Sequence, residues 1–145
     1  MEITKVPFVE HTGIRYDATG NLELSTHKLI ENHLGTIHAS AQFALAETAS
    51  GEHLQELFPE LVDQVIPLLR EATIKYRKPA STSISAHASV PGDAVATFQK
   101  QFQKKGRGSI EVSVELIDPD SSVTCSGLFK WFVQRIETSL DEPMC

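Results

Sequence analysis

Cysteine is scarce in this chain, and what it lacks narrows the possibilities first. Two cysteines in 145 residues, Cys125 and Cys145, give neither a disulfide framework nor the paired spacing of a zinc site. No apolar run approaches the length of a membrane span. The opening Met-Glu-Ile-Thr-Lys-Val-Pro carries charge where a signal peptide has its apolar stretch. Basic residues are outnumbered, with 13 Lys and Arg against 19 Asp and Glu, so a general phosphate-held nucleic-acid binder is disfavoured. There is no Gly-x-Ser-x-Gly elbow, no P-loop and no dinucleotide glycine fingerprint. His33 and His38 stand five apart, but no His-Glu-x-x-His accompanies them. The expectation is one soluble, cytoplasmic domain over 1–145, without a metal or a held cofactor, and long enough to build its own core.

The stretch from Leu34 to Gly51 is rich in Ala and carries a single formal charge, Glu47. Ala, Leu, Gln and Glu favour helix and no Pro interrupts them. Gly35-Thr36 is expected to open the helix and Gly51 to close it. A helix apolar on all sides is usually buried, and a carboxylate buried with it must be paired, neutralised or used.

Around this helix the chain reads in order. Residues 1–12 are an arm or a short helix. Two short extended pieces, 13–17 and 21–25, flank the turn Ala18-Thr19-Gly20. Leu54, Leu57, Leu61 and Val65 continue a helical period that Pro59 interrupts, so a break and a fresh helical turn are expected there. From Arg70 the period becomes two, with Ala72, Ile74 and Tyr76 on one face, and it repeats from Ser81 to Val90. Val95, Phe98 and Phe102 mark a second helix that Lys104 and Lys105 finish and Gly106 stops. Strands over 109–117 and 123–134 form a hairpin across Asp118-Pro-Asp-Ser121, and a frayed tail over 137–145 follows. One apolar helix and a run of antiparallel strands make an α+β fold, in which a curved sheet can wrap the helix.

Asn32, six residues to His38, and nine more to Glu47 resemble the pattern of hot-dog-fold thioesterases of the phenylacetate-pathway and 4-hydroxybenzoyl-CoA type. The segment Ile74-Lys-Tyr76-Arg-Lys-Pro79-Ala resembles that family's second strand with its Tyr-x-x-Pro-Ala ending. The two blocks cover about a fifth of the chain, and the likeness is to a branch with small residues in place of a glycine pair. Two positions depart from the pattern: Ala39-Ser40 follows the His where relatives have Gly-Gly, and Gly51 stands four after Glu47, with Ser50 one place early. The resemblance implies a hot-dog domain acting on an acyl-CoA or acyl-carrier thioester. It also implies a homo-oligomer, a dimer or a dimer of dimers, with the site shared between copies.

Thioester hydrolysis needs a group to activate water or attack the carbonyl, and donors for the developing oxyanion. Glu47 is the candidate for the first role, as base or nucleophile, against the plain alternative of a solvated helix glutamate. The backbone N–H of Ala39, in the first helical turn, is the candidate oxyanion donor, and that N–H needs no glycine. Asn32 donates to the thioester carbonyl or holds the water, or else caps the helix or forms a turn. His38 orients the substrate or moves a proton, or else is bonded to the loop. Ser40, Ala44, Ser50 and Gly51 leave room beside Glu47 for the acyl chain. Tyr76, Arg77, Lys78 and Arg107 are the candidates for the substrate's remaining contacts, with Lys75, Lys104 and Lys105 nearby in sequence. Nine helical residues place His38 and Glu47 on opposite sides of one helix and roughly 13 Å apart along its axis. They meet on one acyl carbon only if two copies of the chain contribute. A non-catalytic hot-dog module that binds an acyl chain or serves as a structural partner is the rival reading.

Overall fold

Alanine allows the centre of this protein to be thin, and the sheet closes on it accordingly. The computed structural model describes residues 1–137. The tail expected to fray lies outside the described residues from 138 onward, as does Cys145. Helix α2, Ala39–Leu57, buries nine residues, of which only Leu45 and Leu54 are large and apolar. The others, such as Ala41, Ala44, Ala46 and Ala49, let strands approach the helix backbone closely.

The strands are β1 (Arg15–Tyr16), β2 (Leu22–Ser25), β3 (Val65–Tyr76), β4 (Ser83–Ser89), β5 (Arg107–Ile117) and β6 (Val123–Arg135). They form one antiparallel sheet in the order β1-β2-β4-β5-β6-β3. The first twelve residues resolve as a 3-10 turn, Ile3–Lys5, and a short helix α1, Pro7–Thr12, whose Val9 enters the core. Helix α3, Gly92–Lys105, ends at Gly106, whose φ of 69° is the left-handed conformation that favours glycine. Fold class and strand sequence are those expected: α+β, a curved antiparallel sheet around one long helix.

Three boundaries differ from the expectation. Helix α2 does not open at Gly35-Thr36, because the Asn32 side chain holds the preceding loop in a turn. Its Oδ1 accepts from the N–H groups of Leu34 (2.9 Å) and Thr36 (3.1 Å), and Gly35 sits at φ 76°. Nor does Gly51 close it. The helix runs on to Leu57 and stops before Pro59, where a missing N–H and ring sterics end it. The break and fresh helical turn expected at Pro59 are present as a 3-10 turn over Pro59–Leu61, but β3 then begins at Val65, five residues before the change of period read at Arg70.

Strand β3 carries a bulge at Arg70, between the pairs Leu69–Trp131 and Glu71–Lys130. The extra residue re-phases the strand, so Pro67 and Leu69 share the inner face with Ala72, Ile74 and Tyr76. Arg70 itself lies over the Phe132 ring, 3.8 Å from its centroid.

Phe98 of α3 closes the far end of the core, packed between Phe58 (4.9 Å between ring centroids) and Phe102 (5.7 Å). It is one of the largest fully buried side chains. Replacing Phe98 by Ala is expected to lower unfolding free energy by about 3–5 kcal/mol, read from urea denaturation.

Candidate active site

The start of α2 is built by His38. Its main-chain carbonyl accepts from the N–H groups of Ala41 (2.9 Å) and Gln42 (3.0 Å), and its Nδ1 accepts from Ser40 (2.9 Å). A ring nitrogen that accepts carries no proton, so the neutral imidazole holds its proton on Nε2, facing outward. Three of the first four amides of the helix are thereby satisfied. Of these four, the Ala39 N–H is the one without an acceptor among the described residues. It lies at the positive end of the helix dipole, at an exposed position. The carbonyl of the same residue is held by Tyr76 Oη at 3.0 Å, which ties the end of β3 to the helix start.

Two and a half turns further on, Glu47 sits on the one stripe of α2 that the sheet leaves half-covered, with Phe43 before it and Gly51 after it. Among the described residues its carboxylate has neither an ion-pair nor a hydrogen-bond partner. Burial pushes its pKa above the ordinary carboxylate value. Glu52 shows the contrast. It is also raised by burial, but it accepts a hydrogen bond from the hydroxyl of Tyr16.

The remaining candidates divide. Ala44 is buried one turn before Glu47, and Ser40 is exposed at the helix start. Ser50 lies wholly in the core: its hydroxyl donates to the Glu47 carbonyl (2.7 Å) and accepts from Trp131 Nε1 (2.9 Å). Asn32 holds its own turn, its Nδ2 donating one of two hydrogens to Thr36 Oγ1 (2.8 Å). Arg77 and Lys78 flank the helix start. Arg77 donates to Ser126 (3.1 Å) and Lys78 pairs with Asp118 (2.9 Å).

Arg107 is not gathered with them. It pairs with Gln134 on β6, whereas Tyr76 pairs with Cys125, nine residues away or roughly 30 Å along the strand. Lys104 and Lys105 lie at that same distant end. Cys125 is buried and its thiol is pushed up to about 11, which makes it a poor nucleophile. Among the described residues no group of three or more His, Cys, Asp and Glu is placed to hold a metal ion. No helix among them is long and apolar enough to cross a membrane.

Sequence reasoning missed one feature of the site. Beyond Gly51 the stripe runs into an apolar cavity of about 280 Å³, with Leu54, Phe58, Val62, Val65 and Trp131 among its walls. The available signal was the lone Trp at an inward position of β6, opposite a helix position with no side chain.

The family model described as a domain of unknown function (DUF4442) matches residues 4–133. The chain is a DUF4442 protein. No protein of curated function matches it. Three solved structures resemble this DUF4442 chain closely in fold. One is a Pseudomonas aeruginosa protein described as a probable thioesterase, with 20% identity, a TM-score of 0.75, and 92% of this chain and 91% of that one covered. Another is a thioesterase of Haemophilus influenzae, with 15% identity, a TM-score of 0.72, and 99% and 91% covered. The third is a Bacillus halodurans protein solved with CoA, with 24% identity, a TM-score of 0.66, and 87% and 74% covered. At these identities the likeness carries the fold, and the fold is the hot-dog.

The raised pKa of Glu47 has a thermodynamic consequence. Between the carboxyl's ordinary pKa and its raised value, the native state binds more protons than the unfolded one, so stability falls as pH rises through that interval. Glu47→Gln removes the loss. The variant is expected to be more stable than the parent at neutral pH and to converge with it as pH drops below the ordinary carboxylate range, as measured by urea unfolding across pH.

Proposed function

We propose that this protein hydrolyses an acyl thioester, with an acyl-CoA as substrate, at a site formed by Glu47 of one copy and the α2 start of another. The observation that carries the reading is the pair of unsatisfied groups on α2: a half-buried carboxylate without a partner and a helix-start N–H without an acceptor. A carboxylate whose pKa lies nearer neutrality is a better general base. Glu47 takes a proton from water as the hydroxyl oxygen adds to the thioester carbon. The Ala39 N–H donates to the oxyanion. The C–S bond then breaks, the proton passes to the departing sulfur, and a carboxylic acid and a free thiol are released. Direct attack by Glu47 through a mixed anhydride reaches the same products.

Ser50 takes no part in these steps, since its hydroxyl both donates and accepts within the chain, while Asn32 keeps one Nδ2 hydrogen to offer the thioester carbonyl or the water. His38 contributes by shaping the helix start and presenting Nε2–H outward. Arg77 and Lys78, at the same end, supply positive charge for the phosphates of CoA, a requirement in so acidic a chain. Their present partners are single side chains at the surface, which bind weakly. The hot-dog neighbours described as thioesterases, and the one solved with CoA, support the same chemistry.

The second copy follows from geometry. Glu47 and Ala39 are eight residues apart on one helix, roughly 12 Å along its axis, too far to share one acyl carbon. Strand β3 is a twelve-residue edge with one side unpaired and Ile66 and Leu68 exposed. An edge of this length is a ready template for a second chain. Pairing there would also cover the open side of the Glu47 stripe.

Ala39→Pro tests the donor cleanly. Proline is well tolerated at the first helical position, and His38 already has the extended backbone (φ −59°, ψ 143°) that a following proline requires. The variant is expected to fold and to lose about 10²–10³-fold in kcat on an acyl-CoA. Glu47→Ala is expected to be similarly poor. Refolding the two together should restore about a quarter of the parental rate, because half the dimers are mixed and each has one intact site. No recovery on mixing would exclude a shared site, and acyl-CoA binding without turnover by the parent protein would favour the non-catalytic module.

A further inference from the structure

The cavity beyond Gly51 has a shape and a chemistry of its own. It begins one helical turn below Glu47 and ends at Phe58, where α2 stops. No charged side chain lines it, and its polar side-chain groups are Gln55 and the Trp131 indole N–H. The indole N–H is already given to Ser50 (2.9 Å). An alkyl chain suits these walls better than a charged group, which would lose its water for one uncommitted side-chain partner, the Gln55 amide.

We infer that this cavity receives the methyl end of a linear, medium-length acyl chain, and that Gly51 with Trp131 forms its neck. The inference rests on the thioesterase reading for where the carbonyl sits, but the cavity's affinity for an alkyl chain stands apart from it.

Size sets the chain length. From Glu47 to Gly51 the helix rises roughly 6 Å, and from Gly51 to Phe58 roughly 10 Å more. An extended chain advances about 1.2 Å per bond, so a four-carbon acyl group with its carbonyl at Glu47 ends near the neck. The whole path is roughly 16 Å; less about 4 Å for contact between the terminal methyl and the Phe58 ring, it takes about ten bonds, or about ten to twelve carbons. Volume agrees: a dry apolar cavity of about 150 Å³ holds a six-carbon ring, and this one measures about 280 Å³.

Gly51 keeps the neck open. A Cβ built there would lie 3.4 Å from Trp131 Cζ2 and 3.5 Å from Cη2, in ordinary contact. The indole, held by its bond to Ser50, leaves room at this position for a methyl group at most. Anything larger than a methyl group at position 51 must push the indole into the cavity or enter the cavity itself. The glycine that departs from the family pattern thereby acquires a role in selecting the substrate.

Trp131 is the only tryptophan in the chain, so its fluorescence reports on the cavity directly. The test measures kcat/KM for linear acyl-CoAs from four to sixteen carbons, and Trp131 emission on titration with decanoate and, separately, with CoA. The parent protein is expected to prefer about ten to twelve carbons, and its emission to respond to decanoate but not to CoA. Gly51→Val narrows the neck and Val62→Phe fills the far end. Each is expected to lower the ratio of decanoyl to butanoyl kcat/KM by about tenfold or more. Two sites of substitution guard against one variant failing to fold. A flat chain-length profile, or a ratio unchanged in both variants, overturns the inference. If no thioester is hydrolysed but decanoate shifts Trp131 emission, and Val62→Phe abolishes the shift, the cavity assignment holds and the thioesterase reading falls. Hydrolysis with no response of Trp131 to decanoate overturns the cavity assignment alone.

Discussion

The close approach of a sheet to a helix made of small side chains is the constraint from which the site follows. Ala41, Ala44, Ala46 and Ala49 let β2, β4, β5 and β6 come near the α2 backbone. The sheet ends one strand later at β3, whose Tyr76 reaches the helix start. One stripe of α2 is thus covered by β6 from one side and open on the other. Glu47 lies on that stripe. The half-coverage raises its pKa without supplying a partner, since a fully buried carboxylate would have needed one and a solvated one would show no shift.

The helix start is organised with comparable economy. A helix leaves four amides without internal partners, and here the single residue His38 satisfies three of them through its carbonyl and its ring. What remains is one amide, at an exposed position, with Tyr76 fixing the carbonyl of the same residue. The donor is a backbone group, so alanine serves as well as glycine in providing it. The difference lies in how near a ligand can come to Cα.

Much of this was legible in the chain. The uncharged Ala-rich run, the alternation of β4, β5 and β6, and the stop of α3 at Gly106 all follow from local patterns that the tertiary structure reinforces. The illegible parts are those where a side chain competes with the backbone. Asn32 diverts the chain into a turn, although a helix opening at Gly35 was equally compatible with propensity. Gly51 resembled a helix stop, yet it is interior, since it keeps helical backbone and packs against Trp131 of the distant β6, where a Cβ would meet the indole at ordinary contact distance. Ser50 resembled a pocket residue until the same Trp131 claimed its hydroxyl. Arg107 joined the basic group on paper, because sequence proximity to Lys104 and Lys105 says nothing about which end of a strand faces the helix start.

Ser50, whose hydroxyl is bound between the Glu47 carbonyl and the Trp131 indole, adds no free polar group, and this leaves the Glu47 stripe more apolar. An apolar surround strengthens whatever electrostatics remain, since a carboxylate and a backbone dipole interact more strongly where water is excluded. It also separates the two tasks of the stripe. In the proposed site, polar chemistry is confined to Glu47 and to the helix start of a second copy, while below Gly51 the walls are mainly apolar and dispersion and desolvation dominate. Selectivity among substrates that differ by methylene groups can come from that lower part without disturbing the reacting groups above it. A glycine at the junction is what keeps the two regions continuous.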